Sequence, residues 1–148
     1  PMLTAILDTN VVFQSLISTR KSASQLVVDA YLEQRFTLVC SRETLDELVW
    51  ILRLPHIRKL HELTDDELQR FIDSLQVDSR QFQVDHDVSP TLTRDVSDTK
   101  FLALAEVSHA DYLVTNDNRH LLPLKQHGGT KIVSPIQFLK ALDHECEE

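Results

Sequence analysis

The chain has 148 residues, with 42% hydrophobic and 26% charged content, which is the size and balance of one globular domain that can bury a core. Fifteen basic residues against 23 acidic ones give a net charge of −8, which excludes binding nucleic acid by bulk electrostatics alone. It does not exclude a nuclease whose acids are gathered at a metal site. No apolar run approaches membrane-spanning length, and no charged segment precedes an apolar core at the amino terminus. These features predict a cytoplasmic protein with no membrane contact. Cys40 and Cys146 lie far apart without a CxxC, and read as a buried thiol and a tail thiol in a reducing compartment. Pro1 reads as a remnant ahead of a Met2 start and is set aside.

The first element is a buried strand, Leu3 to Leu7, that stops abruptly at Asp8. Asn10 reads as the N-cap of a short helix carrying Val11, Val12, Phe13, Leu16 and Ile17. A phosphate-cradling loop or dinucleotide fingerprint needs glycines at this turn, but the only glycines are Gly128 and Gly129. After a polar break at 18–22, a second helix is predicted from Ala23 to Gln34, with Leu26, Val27, Ala30 and Tyr31 on one face. Phe36 to Cys40 reads as a strand. Ser41 caps a helix with Leu45, Leu48, Val49 and Leu52 in one stripe, and Pro55 falls at or soon after its end. Thr64 and Glu67 form a capping box that opens a helix through Leu68, Phe71, Ile72 and Leu75. The segment 78–95 is least regular, with a short strand around Phe82-Gln83-Val84.

A helix pattern returns from about Ser97 to Ser108, followed by a strand ending at Thr115 and a helical turn near Arg119–Leu122. A brief strand, Lys131 to Val133, leads to a last helix with Pro135 at its first position. Strands alternating with helices predict an α/β fold with a mostly parallel sheet, as a single domain over 2–143 with an acidic tail at 144–148.

The chemistry on offer is that of carboxylates. Asp8 sits at the carboxyl end of a strand, where open parallel sheets bind ligands; with Asn10 available as the cap, a purely structural role for Asp8 weakens. Asp98 falls on a helical stripe with Phe101, Leu102, Ala105 and His109, where a charge is costly unless paired or metal-bound. Its competing role is compensation of the helix dipole, worth about 0.3–1 kcal/mol, which Asp95 or Ser97 supplies equally well. Asp117 follows Thr115-Asn116 in a turn, where Asp is common for backbone reasons alone. On the helix after Ser41, periodicity does not choose among Glu43, Asp46 and Glu47, and it points Glu47 away from the apolar stripe. The seven histidines show no ligand spacing, and no serine sits in a nucleophile elbow.

Four segments taken together resemble the PIN-domain family, in its toxin-like branch of prokaryotic toxin–antitoxin ribonucleases. Leu7-Asp8-Thr9-Asn10 is similar to the opening motif, and Ser41 to Leu48 to the segment carrying the family's glutamate, which falls on Glu47. Arg94 to Ala105 resembles the third motif, with its acid at Asp98, and Leu113 to Asp117 the fourth. Each motif is weak alone; four in order over nearly the whole chain are specific. Val96-Ser97 and Thr99 depart from the pattern, standing where relatives often carry a proline and further acids.

The resemblance implies a three-layer Rossmann-like fold and a Mg²⁺- or Mn²⁺-dependent endoribonuclease, with RNA as substrate, an antitoxin as possible partner and a homodimer as assembly. It implies Asp8, Glu47, Asp98 and Asp117 as metal-holding and catalytic residues. Thr9, Asn10, Asp95, Thr115 and Asn116 are then supporting or substrate contacts. Arg94, Lys100 and Arg119 read as surface charges before they read as RNA contacts. Two other classes compete. One is a catalytically silent RNA- or protein-binding module on the same fold. The other is an aspartyl-nucleophile phosphohydrolase, which needs a second Asp where Asn10 stands.

Overall fold

The computed structural model describes residues 2–17, 21–61, 63–84 and 96–146, with the backbone alone described at 96–98, 145 and 146. Among these residues six strands form one sheet: β1 (Thr4–Leu7), β2 (Thr37–Ser41), β3 (Arg80–Phe82), β4 (Tyr112–Val114), β5 (Gln126–His127) and β6 (Thr130–Val133). Their order is β3-β2-β1-β4-β6-β5, and every pairing is parallel except that of β5 with β6. The central strands are buried on both faces, which is why they read as continuous apolar runs. Ala5, Leu7, Leu38, Cys40 and Val114 enter one core, while Ile6, Val39, Leu113 and Ile132 enter the other.

The first core is covered by α1 (Thr9–Ile17), α2 (Ala23–Leu32), α3 (Arg42–Leu52), α5 (Asp65–Asp78) and α7 (Pro135–Cys146). The second is covered by α6 (Val96–Ser108) through Phe101, Leu102, Leu104 and Ala105, joined by Leu121. A short α4 (Pro55–His61) links α3 to α5. The result is the three-layer α/β architecture with a mostly parallel sheet that the sequence predicts.

The helix starts follow local chemistry. The Ser41 hydroxyl accepts the Thr44 N–H at 3.1 Å while the Thr44 hydroxyl accepts the Ser41 N–H at 2.9 Å. Thr64 and Glu67 make the same exchange at 3.1 Å in each direction. Pro135 occupies the first position of α7, and Pro55 the first position of α4.

Several details differ from expectation. Leu26 is 39% exposed, and the buried face of α2 runs through Ser24, Val27, Val28, Ala30 and Tyr31. β3 begins two residues earlier than expected. α4 and β5 carry too few buried residues to leave a periodic signal, with Ile57 and His61 the buried ones in α4. The helical turn predicted at Arg119–Leu122 lies at Leu122–Leu124 as a 3-10 turn, and α7 continues to Cys146.

Phe138 of α7 is fully buried, with its ring edge-on to Phe36 at 4.9 Å and to Tyr112 at 5.5 Å between centroids. Replacing it with alanine removes the ring contacts of α7 with Phe36 and Tyr112. Phe138→Ala is expected to cost about 3–5 kcal/mol in urea unfolding. A loss below about 1 kcal/mol would show that this core does not depend on the aromatic cluster.

Candidate active site

From β1 the chain winds outward through β2 to β3, then returns to place β4 on the other side of β1. The reversal opens a crevice at the carboxyl ends of β1 and β4, where the loops leave in opposite directions. Leu7 pairs with Val114, so the next residue of each strand, Asp8 and Thr115, leaves the sheet side by side. The Asp8 N–H still donates to the Val114 carbonyl at 2.9 Å, and the Thr115 N–H to the Val133 carbonyl at 2.9 Å. The site therefore begins on the last rungs of the sheet ladder.

Asp8 is 6% exposed. Its Oδ2 accepts the Thr115 hydroxyl at 2.7 Å, and its carboxylate also accepts the Asn10 N–H. Its carbonyl accepts the Val11 N–H at 2.9 Å. Asp8 is thus the residue that caps α1, which corrects the expectation that Asn10 does so. Asn10 already lies inside the first turn, and its Oδ1 accepts the Asn116 N–H across the crevice at 3.4 Å. Burial pushes the Asp8 carboxyl above its ordinary value, against the pull of the Thr115 and Asn10 hydrogen bonds; the Asp117 and Glu47 carboxylates push the same way as burial.

Thr115 is fully buried and works in both directions, accepting the Asp117 N–H at 2.9 Å while donating to Asp8. The Asp117 Oδ1 accepts the Arg119 and His120 N–H groups, each at 3.0 Å, so this acid also organises its own turn. Asn116 donates through Nδ2 to Ser24 Oγ at 3.2 Å, tying the loop to the start of α2.

Among the acids of α3, Glu47 makes side-chain contacts with two other helices. Asp46 lies near Arg42 at 3.8 Å on the exposed side. Glu47 faces α1 and α6: its Oε2 accepts the Thr9 hydroxyl at 3.0 Å and its Oε1 accepts Lys100 Nζ at 2.9 Å. Lys100 is accordingly no free surface charge. Sequence reasoning missed this partner, because the contact depends on how α3 and α6 meet. Asp98 is the third residue of α6; its side chain, like all of Arg94 and Asp95, lies outside the described residues.

Asp8, Thr9, Asn10, Glu47, Thr115, Asn116 and Asp117 are therefore brought to one crevice. Among the described residues no group of three or more His, Cys, Asp or Glu side chains is arranged to hold a metal ion. The donors present are oxygens, and the buried Asp8 carboxylate has like charges beside it. That donor chemistry fits a hard divalent cation such as Mg²⁺ or Mn²⁺.

A carboxyl whose value is raised by folding stabilises the native state while protonated. That contribution is fully present below the unfolded value of 3.8 and is lost as pH rises through the higher folded value. In EDTA, Asp8→Asn is therefore expected to raise the thermal midpoint relative to the unsubstituted protein at pH 7, with the gain shrinking on acidification below the folded value. A difference between the two proteins that does not change with pH would refute a raised Asp8.

Residues 4–119 match the family described as PIN domain. No curated protein matches the chain. Among solved structures it is similar to a chain of the crystal structure of VapBC2 from Rickettsia felis bound to a DNA fragment from their promoter, with a TM-score of 0.55. That similarity spans 89% of this chain and 98% of the other at 13% identity, a likeness of fold. With a buried acid at the β1–β4 crevice and a family match over most of its length, the chain belongs to the PIN-domain family.

Proposed function

We propose that this protein is a divalent-metal-dependent endoribonuclease that hydrolyses RNA phosphodiester bonds. The observation that carries this reading is the buried Asp8 carboxylate, linked through the Thr115 hydroxyl to Asp117 and lying near Glu47, at the switch point of a PIN-domain sheet. Asp8, Asp98 and Asp117 are the residues that would hold Mg²⁺ or Mn²⁺, directly or through water, with Glu47 beside them. When bound, the ion supplies an activated water and neutralises charge on the scissile phosphate.

The chain's own residues do the rest. Thr115 fixes the Asp8 carboxylate by occupying Oδ2, and the Arg119 and His120 amides fix Asp117 by occupying its Oδ1. Thr9 orients Glu47, while Asn10 and Asn116 hold the two loops together across the crevice. Asp95 belongs to the same motif as Asp98 and is assigned a supporting role. Holding these groups on strand ends, helices and a hydrogen-bonded turn limits their motion, as positioning of a phosphate and a water requires.

The similar solved structure is a VapBC2 assembly, and on that likeness an antitoxin is proposed as partner, making this chain the toxin of a toxin–antitoxin pair. A homodimer and a cytoplasmic location complete the reading; among the described residues no helix is long and apolar enough to cross a membrane. One observation favours a second reading, a catalytically silent RNA- or protein-binding module: Lys100 already neutralises one of the acids.

Incubation of single-stranded RNA with the purified protein separates the two. Cleavage is expected with Mg²⁺ or Mn²⁺ and none with EDTA. Asp8→Asn is expected to lower the rate on the order of a hundredfold or more, the size of losing one group that stabilises the transition state. Activity that survives in Asp8→Asn would come from a contaminant or another site. Intact RNA under all conditions would leave the silent module standing.

A further inference from the structure

Two carboxylates meet at the crevice in different electrical states. Among the described residues Asp8 has no cation against it; it accepts the neutral Thr115 hydroxyl and the Asn10 amide. Glu47 has a full positive charge in contact, with Lys100 Nζ 2.9 Å from Oε1 and side-chain exposures of 20% for the lysine and 26% for the glutamate. Its other oxygen is occupied by Thr9 at 3.0 Å. The pair joins α3 to α6 across 53 residues of chain, so it is set by the fold and is not a local helix contact. At this burial salt screens it less than a surface pair, and the charge-assisted hydrogen bond is of the stronger kind. The Lys100 ammonium also lies 5.5 Å from the Phe101 ring centroid, which further fixes its place.

Resting on the metal-dependent reading above, we infer that Lys100 is a positioning residue that neutralises Glu47 and holds it against Thr9, so that the crevice takes one divalent ion, on the Asp8 side, with Glu47 outside its direct ligands. A carboxylate in contact with an ammonium gains less from binding an ion than one that, among the described residues, is buried without a cation. An ion seated on Glu47 would also face the Lys100 ammonium, and two positive charges at that spacing repel strongly when partly shielded from water. Mg²⁺ is commonly held by one or two carboxylates and keeps several of its waters, so Glu47 is not required to complete the shell. Lys100 then occupies the electrical place of a second ion: it balances the extra acid permanently, with a charge that neither dissociates nor depends on metal supply.

Calorimetric titration of the metal-free full chain with Mn²⁺ tests this, using the unsubstituted protein, Asp8→Asn, Glu47→Gln, Lys100→Met and Lys100→Arg. The unsubstituted protein is expected to take up one ion and Asp8→Asn none. Glu47→Gln keeps one ion with its affinity changed by less than about threefold, a small fraction of the free energy of binding. Lys100→Met releases Glu47 and either tightens Mn²⁺ by about tenfold or admits a second ion. Lys100→Arg retains the unsubstituted stoichiometry. Thermal unfolding of each variant in EDTA reports folding separately; a merely structural role for Lys100 would lower that midpoint and leave Mn²⁺ uptake unchanged. Uptake lost in Glu47→Gln as completely as in Asp8→Asn overturns the inference alone, as does Lys100→Met with unchanged affinity and stoichiometry. Absence of uptake by the unsubstituted protein overturns the metal-dependent reading and the inference with it.

Discussion

A carboxylate placed almost out of contact with water, between the last rung of β1 and the first turn of α1, is the constraint on which the rest of this structure turns. The effective penalty for burying such an ion is several kcal/mol. Against it stand two hydrogen bonds to a charged group, each worth about 1.5–3 kcal/mol, and the dipole of α1, worth about 0.3–1 kcal/mol. These sums nearly meet, and burial, the largest influence on Asp8, raises its carboxyl above the ordinary value. The hydroxyl of Thr115 and the amide of Asn10 orient the carboxylate without neutralising it. A site left in that condition favours a proton or a cation, and the fold tolerates the cost because β1 and β4 hold both walls rigidly.

Local structural roles and the geometry of the candidate site are not alternatives at this crevice. Asp8 caps a helix, and Asp117 accepts two amides of its own turn, as a residue of purely local purpose would do. Yet each of those hydrogen bonds also fixes where a carboxylate oxygen points. Thr115 makes the link explicit, because one buried hydroxyl accepts from the Asp117 backbone and donates to the Asp8 side chain. Removing any of the three disturbs the other two, so the local turn chemistry and the geometry of the site are one network.

How far the sequence discloses this depends on the range of each interaction. The sheet was legible because strands buried on two faces are uninterrupted apolar runs, and Asp8 and Thr115-Asn116-Asp117 were legible as the places where such runs stop. The capping box at Thr64 and the cap at Ser41 span three residues and were readable, whereas the reciprocal bond from Thr44 that completes a box at Ser41 was not read. Asn10 was misread as a cap because its actual partner, Asn116, lies 106 residues away. Glu47 was not separable from Glu43 and Asp46 by periodicity, since what distinguishes it is contact with Thr9 and Lys100 from two other helices. The short α4 and β5 bury too little to show, and Leu26 and Val28, both apolar, flank the buried Val27, so periodicity does not decide which of the two is buried. The side chain of Asp98 and all of Asp95 lie outside the described residues, and the sequence remains their only reading.

Under the proposed function, the contrast between Glu47 and Asp8 bears on how a protein of net charge −8 would meet a polyanion at all. Bulk attraction is absent, so on that reading contact with nucleic acid would come from local charge reversal at the crevice. An acid that carries its own lysine contributes nothing to repulsion, whereas an acid buried without a counter-charge among the described residues repels a phosphate until something positive joins it. Under the proposed function the crevice is therefore hostile to RNA when empty and receptive when loaded, and the loading depends on Asp8. A built-in cation at Glu47 lowers the number of ions needed for that reversal without removing the dependence. In a silent module the same arrangement would leave only the hydrogen bonds of Thr115 and Asn10 and the α1 dipole to set against the burial cost of Asp8.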